Sequence, residues 1–140
     1  DEKITLGAGE DTDLWIRIAL QNQVAFYNKV SAIHNLHSDN RMSRSNTNLR
    51  QFINLDQYEP LAKTNQSLKK YLDLNRYAIA LQYILAGNKT MAQSYINKID
   101  LKNLNWKQRF LMSLNPLLLN MMSTIKRKFS KLGIRLSSFD

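Results

Sequence analysis

The chain has 140 residues, of which 44% are hydrophobic, so it can bury one core or two small ones. It has no cysteine, which excludes disulfides, iron–sulfur clusters and thiol catalysis, and no apolar run approaches the roughly 20 residues that span a bilayer. The net charge of +9 indicates an anionic partner, and it is concentrated in residues 46–140, which carry fifteen bases against five acids.

The first predicted element is a helix that starts within residues 9–17, Gly-Glu-Asp-Thr-Asp-Leu-Trp-Ile-Arg. Thr12 or Asp13 can cap it, because side-chain oxygens at a helix start accept hydrogen bonds from backbone N–H groups that lack partners. Apolar residues at helical spacing define the face that we expect to be buried. This face comprises Leu14, Trp15, Ile18 and Ala19.

Three carboxylates, Glu10, Asp11 and Asp13, lie at the start of this helix. The positive end of the helix dipole stabilises negative charge there, so one of them can be held ionised as a general base. Acidic residues are also ordinary helix-start residues. The spacing alone therefore leaves capping and catalysis open.

A short strand is predicted over residues 24–33, and the segment Asn40-Arg41-Met42-Ser43 follows it. The motif Gly-Glu-Asp-x-Asp-Leu-Trp-x-Arg, the strand and the Asn-Arg-x-Ser segment, in this order, resemble the C-terminal end of the catalytic domain of glycosyltransferase family 2. The resemblance covers residues 1–45. It implies an inverting transferase with a GT-A type nucleotide-sugar-binding domain, of which residues 1–45 are the incomplete end.

The resemblance also implies roles for individual residues. Asp11 would be the general base that takes the proton of the acceptor hydroxyl, Glu10 its neighbour in the acceptor site, and Trp15 a wall of the pocket or of the core beneath it. His34 or His37 would be a third metal ligand, although a strand-end histidine bonded to backbone is an equal alternative. The residues implied to contact substrate are Asp13, Trp15, His34, His37 and Arg41.

The family binds the nucleotide diphosphate through a divalent metal, Mn²⁺ or Mg²⁺, on an Asp-x-Asp motif well upstream of the Glu-Asp pair. This chain starts at Asp1 and has no residues in that position. We therefore expect the C-terminal part of a longer enzyme, inactive on its own and without a metal site within the chain.

Residues 46–140 are predicted to form a helical domain of about five helices, so that the whole chain is mainly α with a small α/β remnant, a helix plus a short strand, at its start. The helices are expected from Asn46 or Thr47 towards Pro60, from Ser67 to a stop at Gly87-Asn88, from Thr90 to Ile99, from Trp106 to Leu114, and after Asn115-Pro116.

The last of these helices is basic and amphipathic. Such a helix can lie in the head-group region of an anionic bilayer, or it can dock its apolar stripe on the rest of the protein with its lysines in solvent. The sequence leaves both open. The stripe comprises Leu118, Met121, Met122, Ile125, Phe129 and Leu132, and the flanking cations are Lys126, Arg127, Lys128 and Lys131.

The resemblance predicts transfer of a sugar from a nucleotide-sugar donor to a glycan or lipid-linked acceptor, in polysaccharide or glycolipid synthesis. The expected location is cytoplasmic, at the inner face of the cell membrane, with a homodimer as a further option. The alternative is a non-catalytic helical adaptor that binds a protein partner or an anionic membrane surface. Nucleic acid is not expected, because no zinc-finger, RNA-recognition or helix-turn-helix signature accompanies the basic charge.

Overall fold

The structure is a computed structural model and describes residues 2–6, 8–25, 27–30, 32 and 46–131. Within them the chain is mainly helical, as predicted, and it forms two compact units, Asp1–Asn54 and Leu55–Asp140. The sequence prediction had divided the chain after residue 45. The first unit extends further because the Ile53 N–H donates to the Ala8 carbonyl at 3.1 Å and the Thr5 N–H donates to the Gln51 carbonyl at 3.2 Å.

The helix of the first unit, α1, spans Glu10–Gln21. Its N-cap is Gly9, without a side-chain cap, so the prediction of Thr12 or Asp13 as the cap is wrong. The predicted buried face is also wrong, since Trp15 is 58% exposed. A unit whose described core contains only Ala8, Ile16 and Ile53 as buried hydrophobic residues cannot cover a full helical stripe.

The strand predicted over residues 24–33 is absent from the part of it that the structure describes, residues 24, 25, 27–30 and 32. A strand needs a neighbour that pairs with its N–H and C=O groups. None of the residues described in this chain forms a strand, so no neighbour is available among them. Val30, in the middle of the predicted strand, is 93% exposed.

Three short elements replace the helix predicted from Asn46 or Thr47 towards Pro60. They are a 3₁₀ turn at Thr47–Leu49, a second at Leu55–Tyr58, and the short helix α2 at Glu59–Ala62. The backbone between the two 3₁₀ turns cannot continue a helix, because Ile53 pairs instead with Ala8. The prediction of one continuous helix is therefore wrong.

The second unit is built around its longest helix, α3, Gln66–Leu85. This helix contacts α2 and the three helices that follow, α4 at Lys89–Ile96, α5 at Trp106–Ser113 and α6 at Pro116–Lys131. Helices α3 to α6 start within one residue of their predicted positions. The side chains that α3 buries most completely include Leu72, Tyr77 and Ala80.

An asparagine side chain caps the N-terminus of each of the helices α3 to α6. The Oδ1 of Asn65 accepts from the Leu68 N–H at 3.0 Å, and the Oδ1 of Asn115 accepts from the Leu118 N–H at 2.9 Å. Asn105 forms a reciprocal capping box with Gln108, and Asn88 caps α4. Because such a cap stabilises a helix by about 1 kcal/mol, these residues set where the helices begin.

Helix α6 contacts α3 within the second unit and buries Leu119, which is 5% exposed. The predicted stripe lies beside this contact and stays partly in solvent, with Met121 55% exposed and Met122 39% exposed. Leu132, the last residue of that stripe, is outside the described residues. Among the helices that the structure describes, none is long and apolar enough to cross a membrane.

Candidate functional site

The turn at Gly9 presents the Glu-Asp pair of the motif. Gly9 has φ 111°, a backbone conformation that L residues rarely adopt. The chain then enters α1, and the Asp13 N–H donates to the Gly9 carbonyl at 2.9 Å. Glu10 and Asp11 are the first two residues of the helix and both are exposed. The turn therefore leaves two adjacent carboxylates open to solvent at the positive end of the helix dipole.

The two carboxylates differ in their contacts. The Oε2 of Glu10 accepts a hydrogen bond from the Gly9 N–H at 3.2 Å, which fixes this side chain over the turn. Asp11 follows it on the helix, with its side chain exposed. An exposed carboxylate beside an anchored one can receive a proton from a hydroxyl bound between them.

The third carboxylate of the motif, Asp13, is buried and forms an ion pair. Asp13 is 3% exposed, and its Oδ2 lies 3.0 Å from an Arg17 guanidinium nitrogen. This ion pair spans one helical turn and neutralises the charge of Asp13. Contact of Asp13 with substrate stays a prediction, as does the role of Trp15, whose indole is exposed and available to form a pocket wall.

Three predicted site residues, His34, His37 and Arg41, lie outside the described residues. Across the residues that are described, no group of three His, Cys, Asp or Glu side chains is arranged to hold a metal ion. The described residues therefore supply no such group of ligands for the metal that the resemblance implies.

Replacing Gly9 is expected to disturb this turn. A Cβ at Gly9 would lie 2.8 Å from the Ile53 Cγ2 atom, and φ 111° adds backbone strain. We expect Gly9→Ala to destabilise the first unit by about 1–3 kcal/mol. Hydrogen exchange of the α1 amides should accelerate accordingly.

The matched control is Gly87→Ala, because Gly87 also has a positive φ, 74°, but nothing lies within 4 Å of its added Cβ. This variant should leave exchange in α1 unchanged. Unaltered α1 protection in Gly9→Ala would show that the turn tolerates a side chain and does not determine how Glu10 and Asp11 are presented.

A cluster of paired charges lies in the second unit, and the sequence did not predict it. Arg76 and Asp73, both on α3, are 0% exposed. Arg76 binds Glu59 through Nη1 and the Asp56 Oδ1 through Nη2, the latter at 2.9 Å. Its stem and guanidinium thus join α3 to the segment that contains the second 3₁₀ turn and α2.

Asp73, three residues before Arg76 on α3, extends the same cluster to Asp100 and Asn103. One carboxylate oxygen accepts from the Lys69 Nζ at 2.9 Å. The other accepts from the Asn103 side chain at 2.8 Å and from the Asp100 N–H at 3.2 Å. A buried carboxylate with this many donors has its hydrogen-bonding capacity filled, so we interpret the cluster as structural. We call it the clamp; its charged members are Asp56, Glu59, Lys69, Asp73, Arg76 and Lys98.

The clamp shifts the pKa values of its partly exposed members. A hydrogen bond from Lys98 is the main cause that lowers the pKa of Asp56 below 3.8. For Glu59, burial acts to raise the pKa, but hydrogen bonds from Arg76 and Lys69 outweigh it and keep the pKa below 4.5. Both carboxylates therefore bind protons less readily in the folded protein than in the unfolded chain.

This difference predicts the acid sensitivity of the second unit. A carboxyl group whose pKa is lower in the folded protein than in the unfolded chain stabilises the fold at pH values above its unfolded-state pKa. That stabilisation is lost as the pH falls through its folded-state pKa. The free energy of unfolding should therefore drop below about pH 4.5. We expect Asp56→Asn combined with Glu59→Gln to flatten this drop in urea denaturation followed by circular dichroism.

Glu2→Gln is the control for the acid experiment, since Glu2 is exposed and belongs to the first unit. It should leave the pH dependence of the second unit intact. A double variant with the same acid slope as the native protein would contradict the assignment of that slope to Asp56 and Glu59.

A groove of about 480 Å³ opens between α3, α5 and α6. Leu85 of α3, Phe110 of α5 and Ile125 of α6 contribute to its apolar surface. The charged residues that line it are Lys107 and Lys126, both cations. Grooves of this volume and composition are typical of sites for small apolar ligands.

Of the four cations predicted to meet a membrane surface, Lys126 and Lys128 have exposed side chains on α6. Arg127 and Lys131 lie in the same helix, and the structure does not describe their side chains. The association of these cations with a membrane stays a prediction.

Comparisons of the chain with models of known protein families, with curated proteins and with solved structures find no match.

Proposed function

We propose that this chain is the C-terminal part of an inverting GT-A type glycosyltransferase of family 2. The enzyme would transfer a sugar from a nucleotide-sugar donor to an acceptor hydroxyl in polysaccharide or glycolipid synthesis, at the cytoplasmic face of the cell membrane. The observation that supports the proposal is the state of the three motif carboxylates. Glu10 and Asp11 are exposed at the start of α1, whereas Asp13 is paired with Arg17.

In the proposed reaction Asp11 acts as the general base. The acceptor oxygen bonds to the anomeric carbon of the donor sugar while its proton passes to the Asp11 carboxylate. The bond from that carbon to the diphosphate oxygen breaks on the opposite face, so the configuration inverts and a nucleoside diphosphate leaves. Glu10, anchored by the Gly9 N–H, orients the acceptor. One displacement of this kind needs no covalent nucleophile.

The divalent metal of such an enzyme would balance the charge of the departing diphosphate. No group of three candidate metal ligands lies among the described residues, so no step of the proposal uses them as ligands. What they supply is the base and its neighbour.

The exposed side of α1 agrees with this proposal. Leu14 is 45% exposed and Trp15 is 58% exposed, on a helix of a unit with a small core. Exposed apolar side chains that lie together mark a surface that another part of the protein covers. In the intact enzyme we expect the remainder of the catalytic domain, or a second copy in a homodimer, to cover this side of α1.

Nucleotide release by the intact parent protein tests the proposal. The protein is supplied in turn with a panel of nucleotide sugars and with Mn²⁺ or Mg²⁺, and free nucleotide is followed with and without acceptor. Metal-dependent release with one donor supports a transferase and identifies the donor. A folded parent protein that releases nucleotide from none of them refutes it.

A second function, attachment to an anionic membrane surface, is supported by α6. Leu119 docks this helix, yet apolar residues beside it stay exposed next to Lys126 and Lys128. A helix that offers apolar side chains and cations together is suited to the head-group region of a bilayer. This attachment is compatible with transferase activity. If the parent protein is not a transferase, the same attachment would make it the non-catalytic helical adaptor.

A further inference from the structure

We propose that Ile53 is a positioning residue for the transferase reaction, because it holds the Gly9 turn in the shape that presents Asp11 to the acceptor. The proposal rests on the proposed function and deepens it. It assigns to the site residues 51–53, which we call the downstream segment and which follow the motif by more than thirty residues. Ile53 touches no substrate in this proposal and acts through the turn.

Backbone hydrogen bonds join the downstream segment to the chain just before the turn. The Gln51 N–H donates to the Thr5 Oγ1 at 3.0 Å, and the Thr5 N–H donates to the Gln51 carbonyl at 3.2 Å. The Ile53 N–H donates to the Ala8 carbonyl at 3.1 Å. Ala8 and Ile53 are each 3% exposed, so water competes little for this last bond. Both ends of the stretch that leads into the turn are therefore fixed.

The stretch fixed in this way has an unfavourable backbone conformation. Leu6 has φ 55° and Gly9 has φ 111°, and a leucine rarely adopts a positive φ. Such a conformation persists only where the surrounding structure determines it. Leu6 lies between Thr5 and Ala8, the two residues that bond to the downstream segment. These bonds therefore restrain the turn in its observed conformation.

The branched side chain of Ile53 fits the space that Gly9 leaves by having no side chain. A Cβ placed at Gly9 would lie 2.8 Å from the Ile53 Cγ2 atom and 3.3 Å from its Cβ atom. The Gly9 N–H in turn bonds to Glu10, and Asp11 follows on the helix. A shift of Gly9 would therefore move both carboxylates. A displacement of about 1 Å at a reacting group can lower the rate about 10²-fold.

Two substitutions at Ile53 separate positioning from simple burial. Ile53→Val removes one methyl group but keeps the Cβ and Cγ2 atoms that lie against Gly9. Ile53→Leu keeps the number of carbon atoms but has no branch at Cβ, so it lacks the Cγ2 atom. Steady-state transfer by the intact parent enzyme gives kcat and the acceptor KM separately. Hydrogen exchange of the α1 amides in the same variants reports whether the helix stays folded.

Positioning predicts that Ile53→Leu lowers kcat by about 10- to 10²-fold and leaves the acceptor KM unchanged. Ile53→Val should keep the native kcat, because its contact with Gly9 survives. If Ile53 only fills the core, the order reverses, since valine loses a methyl group and leucine conserves the volume. Leu49→Ile is the control, because it makes the reverse exchange in the first unit at a side chain that is 71% exposed. It should change neither kinetic constant.

The outcomes distinguish the positioning role from the proposed function. Native kcat in Ile53→Leu, or an equal loss in Ile53→Val, would overturn the positioning role and leave the transferase standing. No transfer by the folded native parent with any donor would overturn both.

A second variant decides the matter if Ile53→Leu loses the protection of its α1 amides. Thr5→Val removes only the Oγ1 that accepts from the Gln51 N–H, and Thr5 is exposed. Its kcat should fall by about 2- to 10-fold, the equivalent of the usual contribution of one hydrogen bond. Native kcat in this variant would overturn the restraint of the turn by the downstream segment.

Discussion

Arg76→Met is expected to lower the free energy of unfolding of the second unit by about 3 kcal/mol, the lower end of the range for breaking a buried ion pair. Arg76 is 0% exposed and joins Asp56, Glu59 and Asp73. Methionine keeps an apolar stem but removes the guanidinium, which leaves Asp73 buried with Lys69 as its remaining cation.

Two features of the clamp keep the expected loss of stability in Arg76→Met at the lower end of the range for a broken buried ion pair. Lys69 and Lys98 still pair with the carboxylates that Arg76 leaves. In addition, the Nε of Arg76 is buried without a hydrogen-bond partner among the described residues, and its removal recovers part of that desolvation cost. Urea denaturation at neutral pH, followed by circular dichroism of the helices, measures the change.

Lys70→Met is the matched control, since Lys70 is exposed on the same helix. It should change the free energy of unfolding by no more than about 0.5 kcal/mol, as surface substitutions usually do. Arg76→Lys should fall between the two, because one ammonium cannot reproduce the planar fork of a guanidinium. A loss below about 1 kcal/mol in Arg76→Met would mean that the clamp contributes little net stability.

Asp11→Asn in the intact parent enzyme is expected to lower kcat by about 10²- to 10⁴-fold, the contribution of a positioned general base. Asparagine has nearly the same shape, and Asp11 is exposed, so the fold and donor binding should be unchanged. Steady-state transfer rates combined with donor titration separate the two effects. A fall in donor affinity with kcat retained would instead place Asp11 at the donor.

Glu2→Gln is the control here too, because it also exchanges an exposed carboxylate for an amide in the first unit. It should leave both kcat and donor affinity at the native values. An equal loss of rate in this variant would point to a general effect of charge, not to a specific base.

The sequence predicted the starts of helices α3 to α6 well because their signals are local. Each of α3 to α6 begins at an asparagine whose side chain caps it, and such signals involve only neighbouring residues. Gly87, with φ 74°, ended α3 as expected. Local hydrogen-bonding patterns of this kind can be recognised in the sequence without knowledge of the fold.

The predictions that failed depend on contacts between distant residues. Residues near Ile53 looked helical from their apolar spacing, but the backbone pairs with Ala8, 45 residues earlier in the chain. Trp15 looked buried by the same spacing, yet the first unit has too little core to cover it. Periodicity shows which face of a helix is apolar and does not show what will cover that face.

The clamp around Arg76 was missed for a related reason. Asp56, Asp73 and Arg76 are ordinary charged residues in the sequence, and only the folded unit brings Asp56 and Arg76, 20 residues apart, to 2.9 Å. The candidate site at the start of α1 was predicted from the resemblance that covers residues 1–45, because the spacing of its carboxylates alone left capping and catalysis open. The structure adds that Glu10 and Asp11 are exposed there and that Asp13 is paired.

The most direct test of the proposed function is the initial rate of sugar transfer by the intact parent protein, measured side by side with its Asp11→Asn and Glu2→Gln variants. The proposal predicts metal-dependent transfer that Asp11→Asn reduces by at least about 10²-fold and Glu2→Gln leaves unchanged. Transfer at the native rate in Asp11→Asn would contradict the role of Asp11 and leave the acidic run as the first turn of an ordinary helix.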